Sequence, residues 1–245
     1  MANIKIDSQA YNDLKISGKI LRNILENLKK SVKIGTNLLE IENFVDKTIC
    51  EQYATASFKG YDGFPSSVCL SVNDTIVHGI PFDYCIKSGD LVSIDLGIIY
   101  NDMFTDGAIT LNFSQDNQDK ILCQATQKAL NNAIKIIKPG VKTGDIGNII
   151  AQTAEQAKLK VIQDLSGHGT GKAVHEKPTI YNFGVKNHGI EIKSGDVLAI
   201  EPMFSLKSEK IINKNKWSIK TKNNDKSAHF EHTVIVTQNG VEIIT

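Results

Sequence analysis

Acidic side chains stand within or at the end of strongly apolar segments of this sequence. Asp95 interrupts the segment LVSIDLGII, and Glu201 follows VLAI. Such segments predict buried strands, in which an uncompensated carboxylate costs free energy. Two explanations stay open for each residue taken alone. Either backbone amides at a strand end donate to the carboxylate, or a divalent cation balances its charge.

Asp106 strengthens the second explanation. It is separated from Asp95 by an odd number of residues, with the hairpin signal Asn101-Asp102 between them. In a hairpin with a two-residue loop, this separation places both carboxylates on one face, directly opposed or as diagonal neighbours. Carboxylates so close repel each other and lose solvation when buried, and a divalent cation relieves both penalties.

Two further candidate ligands come from the second half of the chain. Glu231 lies in SAHFEHTVIVTQNG, where alternation places it on the face opposite Phe230 and His232. A surface position is the alternative, but the apolar run after it favours burial. His168 stands between glycines in SGHGTGKAVHEKP, and we expect these glycines to let the backbone approach a ligand. The resulting donors, mostly oxygen, suit Mn(II), Fe(II), Co(II) or Zn(II) and can hold two ions.

Composition excludes several other classes of protein. The chain has 245 residues, 41% hydrophobic, with a formal net charge of +1, so no overall charge favours nucleic acid or an anionic membrane. No segment predicts a signal peptide or a membrane span. The four cysteines form no C-x-x-C pair, and we interpret them as reduced thiols of a cytoplasmic protein.

Three motifs occur twice, in the same order. They are KSGDLVSIDLG and KSGDVLAIEPM at 87–97 and 193–203, VKIG and VKTG at 32–35 and 141–144, and HGIP and HEKP at 78–81 and 175–178. Each copy predicts a helix, a histidine, a turn and a strand that carries a carboxylate. The repeats predict one domain, 1–245, built of two pseudo-symmetric halves of about 1–112 and 113–245.

The predicted elements follow from periodicity and caps. Helices are expected at 8–30, 37–54, 117–137 and 144–158. Strands are expected at 67–73, 91–99, 104–112, 197–202, 216–222, 229–237 and 241–244, with a hairpin signal at Asn239-Gly240. The lysine-rich residues 205–226 predict a solvated loop and the edge of a ribbon.

Five stretches together carry a resemblance over essentially the whole chain: GFPSSVCLSVNDTIVHGIP, GDLVSIDLG, GHGTGKAVHEKP, IEPM and FEHTVIVT. Their order and spacing resemble the type I methionine aminopeptidases of bacteria, in peptidase family M24. The resemblance implies the α+β "pita-bread" fold, a pseudo-two-fold antiparallel sheet with outer helices. It also implies a hydrolase that removes the N-terminal methionine of nascent proteins when the second residue is small.

The resemblance further implies roles for single residues. In that family, two divalent ions activate a water for attack on the first peptide carbonyl, and the matching ligands here are Asp95, Asp106, His168, Glu201 and Glu231. Glu201 would also act as general base. His175 would steady the developing oxyanion or the scissile amide, and His78 would lie over the substrate and position it.

The pocket for methionine is also implied by the resemblance, with Tyr61, Phe64 and Trp217 at wall positions. Four positions depart from the usual bacterial pattern. Phe58 replaces a smaller cysteine and Val174 a phenylalanine, so we expect a reshaped pocket. The other two are Gly107, which replaces a hydroxyl residue, and His229, which replaces a glutamine.

Several alternatives stay open on this basis: an enzyme cleaving X-Pro bonds, a non-enzymatic binding protein of the same fold, and a weakened paralogue. The presence of all five ligands favours an enzyme, and X-Pro enzymes usually carry a long N-terminal domain that is absent here. The expected partners are nascent N-termini and the ribosome near its exit tunnel, to which the lysines of 207–226 would add salt-dependent attraction. We expect a cytoplasmic monomer that binds neither DNA nor membrane.

Overall fold

The computed structural model describes residues 2–213 and 216–245, which form four α-helices and fifteen strands. The helices are α1 (Gln9–Ser31), α2 (Leu38–Glu51), α3 (Asn117–Ile136) and α4 (Thr143–Gln156). The strands are β1 (Thr55–Ala56), β2 (Cys69–Val72), β3 (Thr75–Val77), β4 (Leu91–Tyr100), β5 (Met103–Asn112), β6 (Lys160–Val161), β7 (Ser166–Gly169), β8 (Glu176–Tyr181), β9 (Val197–Ile200), β10 (Met203–Ser205), β11 (Ile211–Asn213), β12 (Ile219–Thr221), β13 (Ser227–His229), β14 (Glu231–Val236) and β15 (Val241–Ile243).

All four predicted helices are present, and their ends are set by polar caps. The side chains of Ser8, Asn37 and Asp116 accept hydrogen bonds from the first-turn amides of α1, α2 and α3. At α4, the Asp145 carboxylate instead accepts a bond of 2.9 Å from the Lys142 amide. Each helix then turns an apolar face towards a sheet. α1 and α2 cover a core that includes Ile94 and Leu96, whereas α3 and α4 cover one with the residues Leu198, Ile200 and Phe204.

The main sheet has nine strands and joins both halves of the chain. Its order is β1-β4-β5-β14-β9-β7-β8, with β2 also paired to β4 and β15 to β14. The central β4–β5 hairpin closes through Asn101 and Asp102, whose φ angles are 45° and 60°. Two consecutive positive φ values fit the right-handed twist of the strands, so the hairpin prediction is confirmed. β14 lies antiparallel to both β5 and β9, which brings the two halves edge to edge.

The repeated K-S-G-D motifs fold into the same turn twice. In the first, the Lys87 amide donates to the Asp90 carboxylate at 2.8 Å. In the second, the Lys193 amide donates to Asp196 at 2.7 Å. The turn glycine has a φ of 97° in one copy and 91° in the other, which only glycine adopts without strain. This motif of the internal repeat therefore has the same local structure in both copies.

The sequence missed several short strands, namely β1, β3, β6, β7, β8, β10 and β11, and it predicted one strand at 229–237 where β13 and β14 belong to different sheets. Within residues 205–226, the strand predicted at 216–222 is present as β12, but it is the central strand of a three-stranded sheet with β11 and β3 and not the edge of a ribbon. The hydroxyl of Thr221 is held in that sheet by a bond to the Asp225 carbonyl. Lys214 and Asn215 of the segment lie outside the described residues. Every described helix is too short or too polar to cross a membrane.

The β4–β5 turn yields a stability prediction. Asp102 has a left-handed backbone that glycine tolerates better, so Asp102→Gly should raise the free energy of unfolding by about 0.5–1 kcal/mol. Asp102→Ala is the matched control and should lower it, because alanine resists a positive φ. Urea unfolding followed by circular dichroism measures both. Equal effects of the two substitutions would contradict the turn geometry.

Candidate active site

A cavity of about 610 Å³ opens where β4 and β5 of the first half meet β14 and β9 of the second. All twelve residues singled out by the sequence line it: Phe58, Tyr61, Phe64, His78, Asp95, Asp106, His168, Val174, His175, Glu201, Trp217 and Glu231. The structure therefore brings every predicted site residue to one place.

Three strands place carboxylates side by side on the cavity floor. Asp95 on β4 and Glu231 on β14 both pair with Ala108 of β5, so the small Ala108 side chain separates two acidic neighbours. Asp106 pairs with Gly97 and is the diagonal neighbour of Asp95. This is one of the two arrangements that the hairpin signal predicted. All three carboxylates are buried, so their charges are held close together away from water.

The backbone around Asp106 is fixed by its neighbours. Its amide donates to the Thr233 hydroxyl, and that hydroxyl donates back to the Asp106 carbonyl, both at 2.8 Å. The Gly107 amide donates to Asp106 Oδ1 at 2.9 Å. A Cβ at Gly107 would lie 3.0 Å from Leu21 Cδ2, so Leu21 would have to shift to admit a side chain. The Gly107 amide thus supports Asp106 where the sequence suggested that a hydroxyl was missing.

Glu201 and His168 complete the acidic floor from the second half. Glu201 follows β9, and its Oε1 atom lies 3.3 Å from His168 Nε2. His168 on β7 pairs with Ala199 of β9, and its Nδ1 lies 2.9 Å from the Gly169 carbonyl. If Nδ1 carries the proton, Nε2 presents its lone pair to the carboxylates.

The glycines beside His168 have a different role from the predicted one. A Cβ at Gly167 would lie 2.4 Å from the Ala199 carbonyl oxygen, and a Cβ at Gly169 would lie 2.2 Å from the Lys177 carbonyl oxygen. These are contacts with the backbones of neighbouring strands. The glycines therefore allow the strands to approach closely, and that packing fixes the position of the His168 ring.

Burial dominates the electrostatics of the site. It raises the pKa of Asp95, Glu201 and Glu231 well above their usual range, and the Asp106 charge raises them further. Burial raises the pKa of Asp106 itself to about 7. It also lowers the pKa of His168 to about 4, with a smaller contribution from His175. Each shift reports the cost of holding a charge here without a counter-ion.

The donor set fits divalent metal ions. Ligand atoms of Asp106, His168 and Glu231 all lie within 4.8 Å of one another, as do those of Glu201, His229 and Glu231. Among the described residues, Asp95 Oδ1 and Glu231 Oε1 are buried without a hydrogen-bond partner. Buried anionic oxygens without donors are what a cation would satisfy.

Two histidines and a group of aromatic side chains lie above this floor. The His175 ring packs 4.5 Å from the His168 ring, centroid to centroid, and its Nδ1 lies 3.2 Å from the Tyr61 hydroxyl. Phe64 and Trp217 pack edge to face at 5.4 Å. His78 has a positive φ of 57°, a conformation that bulky residues keep only where the surroundings enforce it. The cavity thus has a polar floor and an aromatic wall.

Some lining residues were missed by the sequence interpretation. Cys69, Val77, Leu165 and Met203 add apolar wall to the cavity. Cys69 pairs with Asp95 across β2 and β4, so its position follows from register, which the sequence alone does not give. His229 was noted only as a departure from a pattern. Its spacing of two residues from Glu231 is the signal that could have placed it on the same face.

Comparisons with known proteins agree on the family. The model of metallopeptidase family M24 matches residues 12–238. The chain belongs to metallopeptidase family M24. Within it, a methionine aminopeptidase of Mycoplasma capricolum is 38% identical over 248 residues, with 100% of this chain and 98% of the relative covered. The chain is thus also a member of the methionine aminopeptidases.

Solved structures give the same result for the fold. The methionine aminopeptidase from Thermotoga maritima is similar with a TM-score of 0.96 and 36% identity, covering 100% of this chain and 99% of that one. Prolidase from Pyrococcus furiosus is similar with a TM-score of 0.79 at 21% identity, covering 100% of this chain and 65% of that one. That second likeness shows the fold alone. The predicted family, the α+β pita-bread fold and the hydrolase class are confirmed, and the metallopeptidase family implies divalent metal use.

The raised pKa of Asp106 predicts how the metal-stripped protein responds to pH. The folded chain keeps the Asp106 proton up to about pH 7, whereas the unfolded chain loses it near 3.8. The folded state therefore binds more protons in this window, and the free energy of unfolding should fall as pH rises from about 4 to 7. One proton corresponds to about 1.4 kcal/mol per pH unit. Chemical denaturation at several pH values with a chelator measures the slope.

Asp106→Asn provides the comparison for this experiment, because it removes the titrating group at nearly constant shape. The variant should show a shallower fall across the same pH window. Equal slopes for the two metal-stripped proteins would show that Asp106 does not hold its proton in the folded state.

Proposed function

We propose that this chain removes the N-terminal methionine from nascent polypeptides, with two divalent ions held by Asp95, Asp106, His168, Glu201 and Glu231. The observation that carries the proposal is the convergence of four buried carboxylates and one imidazole beneath an aromatic wall. Divalent ions bound there would lower the pKa of water and polarise the scissile carbonyl. Co(II), Mn(II), Fe(II) and Zn(II) all suit the donors.

The remaining polar groups are assigned by their positions. Glu201 acts as general base, since its carboxylate borders the cavity beside His168. His175 faces the open part of the cavity and donates to the amide or its developing oxyanion. Burial lowers the pKa of His175 and of His78, so both are neutral imidazoles near pH 7. A neutral imidazole still has one N–H, which is enough for these hydrogen bonds.

The methionine side chain packs against Tyr61, Phe64 and Trp217 in this proposal. Their apolar surface suits a linear thioether, which adapts to irregular pockets. Phe58 and Val174 also line the cavity. Phe58 is larger than the cysteine usual in the family, and Val174 is smaller than the usual phenylalanine. In the same proposal, the preferred substrates have a small second residue.

The wider setting of the enzyme follows from the same proposal. The 245 residues form one catalytic domain of two halves, about 1–112 and 113–245, and act as a cytoplasmic monomer. The ribosome near its exit tunnel is the partner that presents the substrate. Exposed lysines in 207–226 would supply weak attraction to ribosomal RNA. Lys220 and Lys226 of that segment are paired with Asp74 and Asp119, and Lys216 donates to the Asp62 carbonyl. Lys214 lies outside the described residues, so the exposed candidates are Lys207, Lys210 and Lys222.

A hydrolysis assay tests the activity. Metal-stripped protein should release methionine from Met-Ala-Ser only after Mn(II), Fe(II), Co(II) or Zn(II) is added, while Leu-Ala-Ser and Ala-Pro-Ala stay slow. Glu201→Gln should lower kcat by about 10²–10⁴-fold or more, because it removes a base and a ligand. Glu209→Gln, an exposed glutamate, is the matched control and should keep the normal rate.

The same assay decides between the alternatives. Faster release from Ala-Pro-Ala than from Met-Ala-Ser would move the chain to the X-Pro enzymes. Turnover of none of the peptides with any of the four metals would contradict an enzymatic function.

Co-sedimentation tests whether the protein binds to the ribosome. Binding of the wild-type protein to ribosomes should weaken as salt rises, since phosphate contacts release counter-ions. Reversing Lys207, Lys210 and Lys222 to glutamate should reduce binding and flatten the salt dependence, while hydrolysis of Met-Ala-Ser stays normal.

The control for that experiment replaces three other exposed lysines with glutamate. They are Lys128 and Lys135 on α3 and Lys138 just after it. The two triple variants have the same net charge. Equal binding by both would show that the attraction depends on overall charge and not on the surface formed by the first three lysines.

A further inference from the structure

One buried histidine of the site has no role in the proposed function. His229 ends β13, and only 1% of its surface is exposed. Neither ring nitrogen has a hydrogen-bond partner among the described residues. Buried imidazoles normally satisfy at least one nitrogen, so this ring is missing a contact that something else must supply.

The His229 ring points at the carboxylates of the floor. Its Nε2 lies 3.4 Å from Glu201 Oε2 and 3.9 Å from Glu231 Oε2. Both separations exceed the 2.7–3.2 Å of a typical N–H···O bond. Two ligands about 2.1 Å from one ion at a tetrahedral angle lie about 3.4 Å apart. The separations therefore fit ligands that share a cation better than they fit hydrogen bonds.

Glu201 lies between two imidazoles. One of its oxygens is 3.3 Å from His168 Nε2, and the other is 3.4 Å from His229 Nε2. Two candidate ligand groups are present, one with Asp106 and His168 and the other with Glu201 and His229, and Glu231 belongs to both. Because Glu201 directs one oxygen at each imidazole, the donors form two adjacent sets that contain one imidazole each and can share both glutamates.

The backbone of His229 is held firmly enough to position a ligand. The Thr110 hydroxyl on β5 accepts from the His229 amide at 2.9 Å and donates to its carbonyl at 2.8 Å. Ser93 on β4 in turn lies 2.8 Å from that hydroxyl. His229 also pairs with Met203 of β10. A residue fixed on both sides keeps its ring aimed at the floor, as a preformed metal site requires.

We propose that His229 is a sixth protein ligand of the metal centre, binding through Nε2 the ion that it shares with Glu201 and Glu231. This inference rests on the dinuclear centre of the proposed function and extends it by one residue. Each ion then has one imidazole, His168 for one and His229 for the other. A second nitrogen donor makes the centre more suitable for Co(II) and Zn(II) than an all-oxygen second position would be.

Cobalt makes the inference testable without an activity measurement. Metal-stripped protein is loaded with Co(II), the bound ions are counted, and paramagnetically shifted exchangeable imidazole N–H signals are recorded by proton NMR. The wild-type protein should bind two ions and show two such signals. His229→Gln and His229→Ala should each lose one signal and bind the second ion at least about tenfold more weakly, the scale of effect expected when a metal contact is lost.

The two substitutions separate a ligand from a positioning residue. Glutamine keeps an N–H donor for Glu201, whereas alanine keeps none. If His229 only positioned Glu201 by a hydrogen bond, the wild-type protein would show one imidazole signal, and glutamine would largely preserve the affinity for the second ion. That result would overturn the inference and leave the dinuclear centre in place.

His232→Gln is the matched control. His232 is the next histidine along the chain, but its Nδ1 lies 3.1 Å from the Thr245 hydroxyl and not among the carboxylates. The control should keep both signals and both affinities. Thermal unfolding of each variant confirms that it is folded. Failure of the wild-type protein to bind a second Co(II) would instead overturn the dinuclear centre, and the inference with it.

Discussion

The repulsion among four buried carboxylates is the constraint on which the rest of the structure depends. Asp95, Asp106, Glu201 and Glu231 lie together away from water, where charge is costly and like charges add to that cost. A folded chain tolerates this arrangement only if the scaffold is rigid and the charges are neutralised, either by bound protons or by a cation. The wide antiparallel sheet provides the first requirement, and the divalent metal use of the family is one way to meet the second.

The sheet is rigid because its strands pack closely and pair in a fixed register. The floor carboxylates sit on strands that pair directly, so their spacing is set by backbone hydrogen bonds and not by flexible side chains. The glycines around His168 serve the same end, because they let β7 lie against its neighbours without intervening Cβ atoms. The two helical layers then seal the other face of the sheet with separate apolar cores.

Much of this arrangement could be predicted from the sequence. Apolar periodicity gave the four helices, and the Asn101-Asp102 turn placed Asp95 and Asp106 on one face. Short strands such as β7 and β8 could not be predicted, since their order depends on partners distant in sequence and not on local pattern. The position of His229 was predictable only as far as its face, from its spacing of two residues to Glu231. Its backbone is held by Thr110 of another strand, a contact that the local pattern does not give.

The pairing of Asp95, Ala108 and Glu231 in one row across β4, β5 and β14 has a consequence for the timing of activity. Neither hairpin carries enough donors by itself, so no peptidase centre exists until the two parts of the newly made chain have joined along β5 and β14. An unfinished molecule consequently lacks the assembled group of carboxylates. Because the site forms only when β5 pairs with β14, hydrolytic activity depends on the completion of folding.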